Sequence, residues 1–100
     1  LLSQLDEILA EFRKNAVYVE VTSGEMELIR LLMSKLSNGE PRRFGRDVCM
    51  KWRNQIIIMY GHKADIVLVE DGKLYIVPLA YSVQEIKEKL IDYALEVIRG

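Results

Sequence analysis

A single cysteine, Cys49, and a single histidine, His62, are all the thiol and imidazole chemistry these 100 residues carry. One thiol excludes an intramolecular disulfide, and one cysteine with one histidine cannot build a zinc cage. A reducing, cytoplasmic setting is therefore expected, with no metal and no cofactor. Prolines number only two, Pro41 and Pro78, and no Pro- or Gly-rich linker divides the chain, so one domain spanning 1–100 is expected. No apolar run approaches the roughly 20 residues that span a bilayer, and the start is unlike a secretory signal, so no membrane contact is expected. The opening at Leu1-Leu2 without a methionine suggests that preceding residues were trimmed or processed. Net charge is also small, −1, which leaves no global attraction for nucleic acid or anionic lipid; polyanion binding would need a local patch. Neither Gly-rich nucleotide-binding pattern occurs, which argues against nucleotide hydrolysis.

What the chain does have is a foldable balance of 50% apolar and 29% charged residues, well away from the composition of disordered chains. Ile, Val, Leu, Glu and Lys are abundant while Asn and Gln are scarce, a bias shared with heat-adapted, archaeal-like sources. Leu2, Leu5, Ile8, Leu9 and Phe12 recur at helical spacing behind a Ser3 cap, predicting a helix over 3–14. Val17–Val21 is β-branched and aromatic and reads as a short strand. Thr22 and Glu25 have capping-box spacing ahead of Leu28, Leu31, Leu32 and Leu36, predicting a helix over 23–37 that stops at Asn38-Gly39 and Pro41. Ser82 and Glu85 repeat the signal ahead of Val83, Ile86, Leu90, Ala94 and Val97, predicting a C-terminal helix ending near Gly100.

Between the second and third helices lies strand-like sequence. Residues 43–53 alternate, with Phe44, Val48, Met50 and Trp52 on one side and Arg43, Asp47, Cys49, Lys51 and Arg53 on the other, so one half-exposed strand is predicted. A helix over 47–54 is the alternative. Ile56–Tyr60, Ala64–Val69 and Lys73–Leu79 are three further strands, the last two joined by Asp71-Gly72, a hairpin dipeptide that tolerates positive φ. Pro78 has no amide to donate and must fall at an edge, a bulge or beyond the ladder. The expected fold is α+β, with a mostly antiparallel four- to five-stranded sheet packed with three helices in the order α-β-α-β-β-β-β-α.

The least random chemical feature is charge segregation. Arg42, Arg43, Arg46, Lys51 and Arg53 face one acid, Asp47, a local excess of +4 in a chain of net −1. Phe44 and Trp52 are interleaved with them, a composition suited to phosphate contact with base stacking. The nucleic-acid-binding candidates are Arg42, Arg43, Arg46, Lys51, Trp52 and Arg53, with DNA or RNA as partner; a solvated strand face paired with acidic helices is the plain alternative. His62 reads as a turn residue, Cys49 as a packed or half-exposed thiol without a base, and Met26, Met33, Met50 and Met59 as core filling.

The segment from Ala64 to Ala80, an aspartate-led strand (Asp65), the Asp71-Gly72 turn and a second strand, resembles the central hairpin of restriction-endonuclease-like nucleases, the group that includes archaeal Holliday-junction resolvases. That resemblance implies Asp65 as one metal-binding carboxylate and Glu25 or Glu27 of the preceding helix as another, gathering a divalent ion that activates water. The family's Glu-x-Lys tripeptide is replaced by Pro78-Leu79-Ala80, so cutting would need migrated ligands such as Glu70 or Asp47. The resemblance therefore implies a degenerate, non-catalytic nuclease-like subunit that keeps nucleic-acid binding or assembly. A protein-interaction or assembly module, homodimeric or part of a larger complex, is the rival expectation, because Tyr75, Tyr81 and Tyr93 exceed what so small a core can bury.

Overall fold

The computed structural model describes residues 2–100, without the side chains of Leu2 and Ser3, so the Ser3 cap and the place of Leu2 in the apolar stripe lie outside the described residues. The chain runs α1 (Leu2–Arg13), β1 (Val17–Val19), α2 (Ser23–Lys35), β2 (Pro41–Phe44), β3 (Asp47–Trp52), β4 (Gln55–Tyr60), β5 (Lys63–Glu70), β6 (Lys73–Val77) and α3 (Val83–Arg99). Both predicted capping boxes form: Thr22 and Ser82 side chains accept from the amides of Glu25 and Glu85, whose carboxylates accept in return. Each satisfies helix-start amides that would otherwise lack partners.

The strands β2 to β6 form a continuous antiparallel meander, and β1 adds to the outer edge of β6, giving the order β1-β6-β5-β4-β3-β2. Two residues make each turn of the meander: Gly45-Arg46, Arg53-Asn54, Gly61-His62 and Asp71-Gly72. Gly45 and Gly61 take φ of 60° and 65° at the first turn position, and Asp71 and Gly72 take 51° and 73°. Those are the left-handed conformations that tight hairpins demand. β6 ends at Val77, so Pro78 falls just beyond the ladder, where its missing amide costs no hydrogen bond.

Two helices cover one face of the sheet and a single helix covers part of the other. On the α2/α3 face, Ile29 and Leu32 of α2 and Ile86, Leu90 and Ala94 of α3 pack on Cys49, Ile56, Ile58, Val67, Leu74 and Ile76. A Lys87–Glu25 ion pair of 3.2 Å ties the two helices together. On the α1 face, Leu9 packs on Trp52, Ile66 and Val77, with Leu5, Ala16 and Ile57 alongside. Within its first half, α1 is fastened by Asp6, whose carboxylate accepts from the Trp52 indole N–H at 2.8 Å and from the Arg53 guanidinium at 3.0 Å.

Three expectations are corrected. The sheet has six strands, not four or five, because residues 43–53 form the β2–β3 hairpin and not one strand. Gly45 turns the chain there. The turn reverses the side-chain parity predicted across it, so Phe44 shares the α2/α3 face with Asp47 and Cys49, while Val48, Met50 and Trp52 point to the α1 face. Cys49 is accordingly fully buried, not outward-facing. The helical alternative over 47–54 gives way to strand β3.

Candidate interaction surface

Pairing across the meander places the predicted cations individually. Arg42 pairs with Cys49 and Lys51 with Ile56, which puts both on the α2/α3 face; Arg43 pairs with Val48 and so stands on the α1 face. Arg46 sits in the β2–β3 turn and Arg53 in the β3–β4 turn, at opposite ends of a six-residue strand, about 20 Å apart at ordinary strand rise. Arg53 is ion-paired to Asp6 at 3.0 Å. The Arg42 guanidinium stacks over Phe44 at 5.5 Å. Among the described residues, Arg42, Arg43 and Arg46 have no carboxylate within ion-pair distance. The meander thus brings Arg42, Arg43 and Arg46 to one corner and leaves Lys51 and Arg53 elsewhere.

Trp52 is 7% exposed and its indole N–H is committed to Asp6, while Phe44 is buried against Tyr93 at 4.8 Å between ring centres. Neither ring has a face open to a base. The interleaving of aromatics and cations along the sequence is the two-residue repeat of a hairpin that buries every second side chain.

Asp65 is 0% exposed. Its carboxylate accepts from three successive backbone amides beyond β6: Leu79 at 2.7 Å, Ala80 at 2.6 Å and Tyr81 at 3.1 Å. Such a nest satisfies a buried charge with fixed dipoles and anchors the crossing from β6 into α3. Two of the other expected carboxylates have separate work: Glu25 closes its capping box and pairs with Lys87, and Asp47 accepts from Lys89 at 3.2 Å and from the Tyr93 hydroxyl. Among the described residues no group of three His, Cys, Asp or Glu side chains is placed to hold a metal ion.

Around Asp47 the α2/α3 face carries a polar knot. The Lys89 ammonium lies 5.1 Å from the Tyr60 ring and 4.7 Å from the Tyr81 ring, a cation enclosed by one carboxylate and two π faces. Burial pushes the Cys49 thiol up to about 12, with the nearby Asp47 charge adding to the effect. Desolvation likewise raises Tyr60 and Tyr93 above the ordinary phenol value. These groups stay protonated, which suits a structural knot better than nucleophilic chemistry.

The feature that sequence reasoning missed lies on the α1 face. Side chains there form parallel rows: Trp52, Gln55, Leu68, Tyr75 and Tyr18; then Pro41, Met50, Ile57, Ile66 and Val77; then Arg43, Val48, Met59 and Ala64. Contacts of Leu9 with Trp52, Ile66 and Val77 place α1 over the first two rows. The third row has no helix above it, and Val48, Met59 and Ala64 are only partly buried. Pro41, Arg43, Arg46, Val48, Met59 and Gly61 line a shallow groove of about 480 Å³ there. Helical spacing turns Ile8 and Phe12 to the flank of α1 opposite Asp6 and Arg13, away from the β3–β4 turn and toward the open row. They are 53% and 37% exposed.

No family model, curated protein or solved structure matches the chain. No helix among the described residues is long and apolar enough to cross a membrane.

Proposed function

We propose that this chain is a non-catalytic protein-interaction module that binds through the open third row of the α1 face. The observation that carries this reading is the uneven dressing of one sheet: two helices cover one face, and one helix leaves Val48 and Met59 only partly buried on the other, beside Arg43 and Arg46, which have no ion-pair partner among the described residues. Apolar surface rimmed by unneutralised arginine is the composition of a contact patch, where burial supplies affinity and charge supplies orientation. Site-specific photocrosslinking tests it. Benzoylphenylalanine at Val48 or Met59 should yield nuclease-resistant, protein-sized adducts in an extract of the source cells, while the same group at Gln84 on α3 should not. Equal labelling at all positions, or none at 48 and 59, overturns the reading.

Nucleic-acid binding is the second reading, favoured by the absence of carboxylate partners for Arg42, Arg43 and Arg46. Three phosphate contacts give a salt slope of about −2 to −3, a weak attachment without stacking rings. Adducts at 48 and 59 that disappear on nuclease treatment would support it, together with a nuclease-like ancestry that kept binding and lost cutting.

A further inference from the structure

We infer that the open row receives one amphipathic helix from a partner protein, lying beside α1, with its apolar face on Val48 and Met59 and acidic side chains along the edge that meets Arg43 and Arg46. This rests on the interaction reading above and adds the shape and charge of the occupant.

Dimensions set the shape. Strands β3 and β4 have six residues each, so the sheet there is about 20 Å long. A helix with its side chains is about 10 Å across. Crossing over the first two rows at the β3–β4 end, α1 leaves the third row, about 7 Å of strand, together with the β2–β3 and β4–β5 turns beyond it, as the seat for one more helix. On the opposite face two helices fill the same sheet. The vacant position has a floor of Val48 and Met59, with Ala64 next in the same row, and a rim of Arg43 and Arg46; Ile8 and Phe12 are exposed on the flank of α1 that helical spacing turns toward it. A helix presenting apolar residues at i, i+3, i+4 and i+7 has an apolar face to lay on that floor.

Charge sets the composition. Asp47, the only acid in the β2–β3 hairpin, is turned to the other face and held by Lys89 and Tyr93, so among the described residues no carboxylate lies within ion-pair distance of Arg43 or Arg46. A basic partner helix would be repelled there. A second copy of this chain stacked face to face fits less well: the outward side of its α1 carries Gln4, Glu7 and Glu11, which would bring charge, not apolar surface, onto Val48 and Met59.

Methionine-methyl NMR supplies the test, because two of the four methionines, Met50 and Met59, lie on the α1 face and the other two, Met26 and Met33, belong to α2. The probes are two synthetic 14-residue amphipathic helices, one Leu/Glu and one Leu/Lys, of identical apolar pattern. The Leu/Glu peptide should shift Met59 and Met50 while leaving Met26 and Met33 in place, and bind at least tenfold more tightly than Leu/Lys. In R43E/R46E the preference should reverse. Binding of neither peptide, equal binding of both, or shifts at Met26 and Met33 overturns the inference, as does concentration-dependent broadening of Met59 without peptide, which assigns the groove to a second copy. Protein crosslinks at Val48 and Met59 with no Leu/Glu binding would leave the interaction reading standing and remove the acidic helix.

Discussion

Asp65 shows how one residue type supports two expectations until its partners are known. In the sequence it opens a hydrophobic strand and looks like a metal ligand; in the fold its carboxylate faces the amides of Leu79, Ala80 and Tyr81. Nothing local in the sequence discloses that contact, because the two segments are 14 to 16 residues apart and meet only after β6 has paired. Replacing Asp65 with asparagine removes the charge and one acceptor oxygen, and turns an NH2 group toward amide donors. We expect a loss of about 3 kcal/mol, read from the urea midpoint; an unchanged midpoint contradicts the anchoring role. Cys49 supplies a second expectation. Burial lifts its thiol from the ordinary 9.0 to about 12, so the folded chain keeps a proton that the unfolded chain releases. Stability is therefore whole below pH 9 and declines toward pH 12 by about 1.4 kcal/mol per pH unit for this group. The buried Tyr93 and the partly buried Tyr60 act in the same direction above their ordinary value of 10.0. Urea titrations at pH 8 and 10.5 should show the fall, and C49A should lessen it, leaving the part due to the tyrosines; rapid labelling of the native thiol at pH 8 contradicts it.

At the level of elements, whatever depended on local rules was legible. The capping boxes at Thr22 and Ser82, the Asp71-Gly72 turn and the placement of Pro78 all follow from backbone chemistry within a few residues. The β2–β3 hairpin was harder because Arg43 to Arg53 alternates almost without interruption, and a tight turn inside an alternating run resembles a longer strand. The available signal was Gly45 in mid-run, since Gly-X is one of the two-residue hairpin loops. Its φ of 60° makes the point testable. Alanine at Gly45 meets no atom within 4 Å, so any penalty comes from the left-handed backbone alone, about 1 to 2 kcal/mol. Thermal unfolding of G45A measures it, and a gain in stability would show that the turn is not strained by a side chain.

For the whole molecule, the sequence carries fold class and helix count but not the distribution of helices between faces. Which side of a sheet a helix takes depends on crossing connections, and an amphipathic stripe on α1 reads the same whether it covers a face or half of one. The candidate site therefore emerged only in three dimensions. Arg42, Arg43 and Arg46 are visible in the sequence as charge, whereas Val48, on the apolar side of the predicted strand, and Met59, expected as core filling, prove to be only partly buried beside Arg43. Their openness is the claim on which the functional account stands.

The direct measurement is the urea stability of V48S and M59S beside I58S. Ile58 is fully buried on the α2/α3 face and should lose several kcal/mol, in the range of about 2 to 5 kcal/mol for emptied core positions. V48S and M59S should each lose less than about 1 kcal/mol, as surface positions do. Losses at Val48 and Met59 equal to that of I58S would mean the row is closed core, and no partner would have a surface to occupy.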